Sequence, residues 1–206
     1  MKLIAIHIYK WQDSNSLLLA AEIDLNMLWF YQRGMAKEHI NFNSRLISGR
    51  VDPGNKASTS LEAELGKCHC WTTADGISAT AITDNEYPEK AAYILLNNVI
   101  LDFREYFASD PSMYENAVKD LVGTLPYPNL PEYLRKWQDP SEADKLMKIE
   151  KDLFEVKEIM HQNLNDVLKR GENLDTLMAR SKDLSSVSVN FYKKAKKQNN
   201  KCCQVS

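Results

Sequence analysis

The feature that most restricts this chain is a run of sixteen positions near its C-terminus. Stepping alternately by three and four from Leu146, the run reads Leu146, Ile149, Leu153, Val156, Met160, Asn163, Val167, Arg170, Leu174, Leu177, Ser181, Leu184, Ser188, Phe191, Ala195 and Gln198. Eleven of the sixteen are apolar and the alternation never slips. A 3.5-residue apolar repeat sustained this long makes a narrow seam that only neighbouring helices can cover. Burial along one seam falls short of the cost of ordering the backbone, about 1–2 kcal/mol per residue. Gly171 adds about 1 kcal/mol against a free helix. Residues 141–198 are therefore expected to be disordered, or docked on the rest of the chain, until partner helices arrive.

Arg170 stands in the middle of the seam, where burial costs several kcal/mol unless carbonyls or carboxamides satisfy its five donors. One buried polar residue in a heptad array is a known device for fixing register.

The preceding residues read as an α+β domain. Residues 2–11 and 17–25 have strand character around the Asp13-Ser14-Asn15-Ser16 turn, and a helix is expected over 28–48. That helix has two apolar stripes: Met35, Phe42 and Leu46 form one, and Ala36, Ile40 and Ile47 the other. Either both belong to one wide buried face, or the Met35 stripe forms a groove for a docking segment. Strands follow over 61–73 and 77–83, split by Asp75-Gly76. Pro88 opens a helix to Phe107 with Ala92, Leu95, Leu96, Val99 and Phe103 on its apolar side, and a last helix is expected over 113–122. The domain is predicted to span 1–124. Residues 125–140, with Pro126, Pro128, Pro131 and Pro140, read as an irregular linker, 141–200 as the coiled-coil segment and 201–206 as a tail.

Other function classes find little support. No run approaches the ~18 apolar residues of a membrane span, and the N-terminus lacks a signal-peptide cleavage pattern. A net charge of −2 gives no global attraction to nucleic acid. Cys68-His69-Cys70 has no second ligand pair at zinc spacing, so no metal is expected. No nucleophile–base pair or phosphate-binding glycine loop stands out, so no catalysis and no cofactor are expected.

Three stretches together resemble one family: Ile82-Thr83-Asp84-Asn85-Glu86-Tyr87-Pro88, Gln138-Asp139-Pro140-Ser141-Glu142-Ala143-Asp144, and Val167-Leu168-Lys169-Arg170-Gly171-Glu172-Asn173-Leu174. The chain is similar throughout to the prenylated, longin-domain R-SNAREs of the synaptobrevin-like group. The resemblance implies a longin (profilin-like) domain with a central antiparallel sheet and flanking helices, followed by the SNARE segment. It implies that Arg170 is the ionic-layer residue, bonded by glutamines from three Q-SNARE helices in a parallel four-helix bundle. It also implies that the longin domain binds back onto the SNARE segment, with Met35, Phe42 and Leu46 as the candidate groove. The setting it implies is the cytosol and the cytosolic face of Golgi, endosomal, vacuolar or vesicle membranes.

The chain ends Lys201-Cys202-Cys203-Gln204-Val205-Ser206. A cysteine four from the end with serine last fits farnesylation of Cys203, although Gln204 stands where an aliphatic residue is usual. A single lipid gives marginal attachment, so a second signal is expected. Palmitoylation of Cys202 is one candidate. The lysine run Lys193, Lys194, Lys196, Lys197 and Lys201 is another, worth about 1 kcal/mol per residue at an anionic surface, unless it is simply a solvated helix end. The expected activity is fusion by helix zippering. A non-fusogenic longin adaptor would tolerate loss of Arg170, and a self-acylating protein would load Cys202 without help.

Overall fold

The β-branched and aromatic N-terminus becomes the middle of a sheet. In the computed structural model, which describes residues 1–61, 66–139 and 159–202, with side chains to Lys194, β1 (Leu3–Lys10) pairs antiparallel with both β2 (Leu17–Ile23) and β5 (Ile77–Thr83). β3 (Lys56–Ser60) and β4 (Lys67–Thr72) complete the antiparallel part, and β6 (Met160–Asn163) adds a parallel strand to β3. The order is β2-β1-β5-β4-β3-β6, so the expected antiparallel sheet is a mixed sheet of six strands. The described residues divide into two compact units, Met1–Asp24 with Asn43–Val167, and Leu25–Phe42 with Leu168–Ser206.

In the first unit, period-two alternation gives each sheet face its own helix. α1 (Phe30–Ser48) brings Ser44 to one face, where its hydroxyl lies 3.3 Å from His7 Nδ1. α2 (Glu89–Tyr106) covers the other. Pro88 precedes it in extended geometry, and Ala92, Leu95, Leu96, Val99 and Phe103 are fully buried, as their spacing predicts. Below α2 the rings of Phe103, Phe107, Tyr114 and Tyr127 pack at 4.9–6.1 Å between centroids.

Three expectations are corrected here. The strand predicted over 61–73 is confined to β4, preceded by β3, with residues 62–65 outside the described residues. Between them Gly66 has φ +89° and lies so close to Thr83 that a Cβ would collide with the Thr83 carbonyl oxygen. The helix predicted over 113–122 is only one turn, α3 (Ser112–Glu115). The chain beyond it is held by β2 instead. Asp120 accepts the Leu18 N–H at 2.9 Å and grips the buried Arg45 guanidinium through both oxygens at 3.0 and 3.1 Å, while Leu121 N–H donates to Leu18 O at 2.8 Å. Finally, the proline-rich stretch carries α4 (Leu130–Lys136), with Pro131 in its first turn, where the missing N–H costs nothing. Tyr127, Leu130, Leu134 and Trp137 join the core, which thus reaches beyond residue 124. Gln138 closes the segment by exchanging hydrogen bonds with the Leu3 backbone, 3.3 and 2.5 Å.

In the second unit, α5 (Leu174–Arg180) and α6 (Ser186–Cys202) stand with the N-terminal part of α1. Asn173 caps α5 by accepting the Asp175 N–H at 2.8 Å. The backbone is not one continuous helix, because Gly171 adopts φ +87° and Ser181 is extended.

Candidate functional site

The heptad segment can be followed residue by residue. Leu146, Ile149, Leu153 and Val156 lie outside the described residues. From Met160 the segment is a strand: Met160, His161, Gln162 and Asn163 stand in register with Ala57, Ser58, Thr59 and Ser60 of β3. An edge strand presents unpaired N–H and C=O groups, and β6 satisfies one such row. Gln162 Nε2 donates to Thr59 Oγ1 at 3.1 Å, and His161 Nδ1 lies 3.7 Å from Glu89 Oε2. The chain then turns through a 3₁₀ helix, Leu164–Val167, where Asp166 accepts the Asn163 N–H at 2.9 Å. Leu164 and Val167 are buried there, contributing about 3–6 kcal/mol of apolar burial before the ordering cost. Met160 and Asn163 remain exposed.

Beneath β6, Ser58 anchors a buried polar chain. Its hydroxyl lies 2.9 Å from His69 Nδ1 and 3.0 Å from the Tyr93 hydroxyl, and His69 Nε2 lies 3.2 Å from Thr83 Oγ1. Burial pushes the His69 pKa down to about 4, helped by the nearby charges of Lys67 and His161. Cys68 and Cys70 face the opposite side of β4, where burial raises both thiols, Cys70 to about 11. Alternation thus separates the Cys68-His69-Cys70 side chains, and among the described residues no cluster of three His, Cys, Asp or Glu could hold a metal.

In the second unit Arg170 is exposed beside the Gly171 turn. Leu174 and Ser188 are buried, Leu177, Ser181 and Leu184 are half-buried, and Phe191 is exposed. Ala195 and Gln198 fall on α6 beyond the described side chains, as does Cys202, while Cys203 lies outside the described residues. Glu38 of α1 sits at the start of α6 and accepts the Ser185 N–H at 2.7 Å, a favourable place for a carboxylate. Burial pushes the Glu38 pKa up, but the hydrogen bonds from Ser185 and Ser188 outweigh it and leave the pKa lowered. His39 lies 5.8 Å from the Tyr192 ring, and burial lowers its pKa against the opposing Ser188 hydrogen bond and the Glu38 charge.

Of the residues expected to form a groove, Met35 is half-buried, and Phe42 and Leu46 are buried, with Met35 and Phe42 in the second unit and Leu46 in the first. From Ile40 onward both stripes of α1 are covered. Sequence reasoning missed Leu164, Glu38, His39 and the β3 edge. Leu164 carried a weak signal as an apolar residue beside the polar seam position Asn163, whereas Glu38 and His39 carried none.

Two family models match the chain: Regulated-SNARE-like domain over residues 30–121 and Synaptobrevin over residues 145–205. A sheet flanked by helices, followed by such a segment with an arginine in its seam, defines a longin-domain R-SNARE. Full-length relatives narrow it further. The chain is 37% identical to "Synaptobrevin homolog ykt6" of Schizosaccharomyces pombe, 36% to "VAMP-like protein YKT61" of Arabidopsis thaliana and 34% to "Synaptobrevin homolog YKT6" of Saccharomyces cerevisiae, in each case over 100% of both chains. The chain belongs to the longin-domain R-SNARE family, in its Ykt6 type: a non-enzymatic protein of vesicle trafficking and membrane fusion. Among the described residues no helix is long and apolar enough to cross a membrane.

Proposed function

We propose that this R-SNARE alternates between a closed form, in which the SNARE segment is held as β6 on the longin sheet, and an open form that zippers with three Q-SNARE helices into a parallel four-helix bundle. The observation that carries the reading is the register of Met160–Asn163 on β3. Met160 and Asn163 are seam positions paired in the sheet, and the seam residue Val167 is buried in the turn that follows, so none of the three can at the same time face a helical partner. In the bundle Arg170 forms the central ionic layer, its donors met by three glutamines. The groove residues Met35 and Phe42 share a compact unit with residues 168–206, which supports a role for the start of α1 in holding the segment. Farnesyl on Cys203 and palmitoyl on Cys202 would complete a reversible anchor, letting the protein cycle between cytosol and the cytosolic face of Golgi, endosomal, vacuolar or vesicle membranes.

The test mixes the full chain with the cytosolic parts of three glutamine-class SNAREs and follows helicity by circular dichroism. A heat-stable complex of all four, weakened by Arg170→Ala, is expected. Absence of any gain in helicity would overturn the proposal. Mass spectrometry of the native C-terminus reads the two lipids directly.

A further inference from the structure

Formal charge is distributed very unevenly between the two compact units. Residues Leu25–Phe42 and Leu168–Ser206 hold eleven Lys and Arg against four Asp and Glu, a charge of +7, while the whole chain carries −2, leaving −9 to the other unit. Such asymmetry marks the basic part for an anionic surface. The same unit exposes the chain's most concentrated group of large apolar side chains among the described residues. Met27, Trp29, Phe30 and Tyr31 are 46%, 71%, 82% and 63% exposed.

These side chains are presented by an ordered turn. Leu28 N–H donates to Leu25 O at 2.9 Å and Gln32 N–H to Trp29 O at 2.9 Å. The Arg33 guanidinium clasps the turn by donating to Leu28 O at 3.0 Å and Asn26 O at 3.4 Å. The rings therefore sit at the start of α1, on a turn closed by its own hydrogen bonds, with the Arg33 charge beside them. Tryptophan and tyrosine favour the level of lipid headgroups, and phenylalanine and methionine the acyl boundary below it. Lysines near such a surface add attraction to anionic lipids.

We propose that Trp29, Phe30 and Tyr31 form a membrane-contact site that inserts into the headgroup region of an anionic bilayer, steered by the positive charge of the unit that carries them. The site rests on the membrane-associated setting of the family and not on lipidation of the tail. It gives the protein a contact with lipid through the longin helix α1, distinct from any lipid on its C-terminus, with residues 168–206 supplying +6 of the steering charge and residues 25–42 the remaining +1.

The test uses the full chain with Cys202→Ser and Cys203→Ser, so that no lipid can be attached. It is sedimented with vesicles of phosphatidylcholine alone and of phosphatidylcholine with phosphatidylserine, some carrying brominated acyl chains. Binding to the phosphatidylserine vesicles alone is expected, with tryptophan fluorescence quenched by the brominated lipid. Trp29→Phe is expected to keep binding and lose that quenching. The triple variant W29S/F30S/Y31S is expected to bind at least about tenfold more weakly. Its fold is checked by thermal melting, and if it does not fold, the Trp29→Phe quenching decides. Equal binding by the triple variant, or quenching unchanged in Trp29→Phe, would overturn the site. So would a parent chain that ignores both vesicles, that dimerises through these rings, or that prefers a single-stranded nucleic acid over the anionic vesicles. None of those results bears on bundle formation or on lipidation, which are measured separately.

Discussion

Truncating Leu164 separates the closed form from the bundle. Leu164 is 3% exposed in the turn after β6, yet it lies off the seam, between Asn163 and Val167. A buried leucine cut to alanine loses about 2–5 kcal/mol. Taking the lower figure, because a surface turn relaxes more readily than a core, about 2 kcal/mol lowers the closed-to-open ratio roughly thirtyfold. Alanine is at least as good a helix former as leucine, so the bundle should be little affected. If opening limits assembly, Leu164→Ala should join three labelled Q-SNARE helices up to about thirty times faster than the parent, read by fluorescence anisotropy. The melting of the longin domain should be nearly unchanged. An unchanged or slower rate in a variant that melts like the parent would refute the reasoning.

Arg170→Ala should leave the exchange protection of residues 160–163 unchanged while weakening the four-helix complex, a contrast that amide exchange and melting together reveal. Asp120→Ala should lower stability by about 2–4 kcal/mol in urea melts, since it takes the carboxylate partner from the buried Arg45 guanidinium and the acceptor from the Leu18 N–H. Gly66→Ala should lower the melting temperature, because φ +89° and the Thr83 carbonyl both exclude a Cβ. Acid should destabilise the first unit through His69. Its folded pKa, about 4, lies below the unfolded value near 6.5, so the unfolded state binds the proton first. Stability is then full above pH ~6.5 and is lost as pH falls toward 4, by about 3 kcal/mol, a slope that His69→Gln should flatten in melts across that range.

Much of the fold was legible because periodicity marked it. Pro88 and the Ala92, Leu95, Leu96, Val99 and Phe103 pattern located α2, and the β-branched and aromatic character of Leu3–Lys10, with the Asp75-Gly76 turn before Ile77–Thr83, located the two central strands. The errors fall where tertiary partners override local preference. Asp120 gave up a helix to meet Arg45 and Leu18, and the prolines around Tyr127 disguised a segment that buries Trp137. β3 was missed because Lys-Ala-Ser-Thr-Ser is polar, and what holds it is the ladder to β4 on one side and to β6 on the other. The functional segment shows the reverse pattern. Its heptads announce a helix for a partnered state, while the strand at Met160–Asn163 depends on the β3 edge, a feature some hundred residues distant in the chain that no local pattern encodes.

In the proposed opening, residues 160–163 exchange a strand, and 164–167 a 3₁₀ turn, for one continuous helix. Backbone chemical shifts and amide exchange at Gln162 and Asn163 test this most directly, in the free chain and after addition of the three Q-SNARE helices. Strand shifts with slow exchange in the free chain, replaced by helical shifts in the complex, are the predicted result. The same conformation in both states would contradict the account.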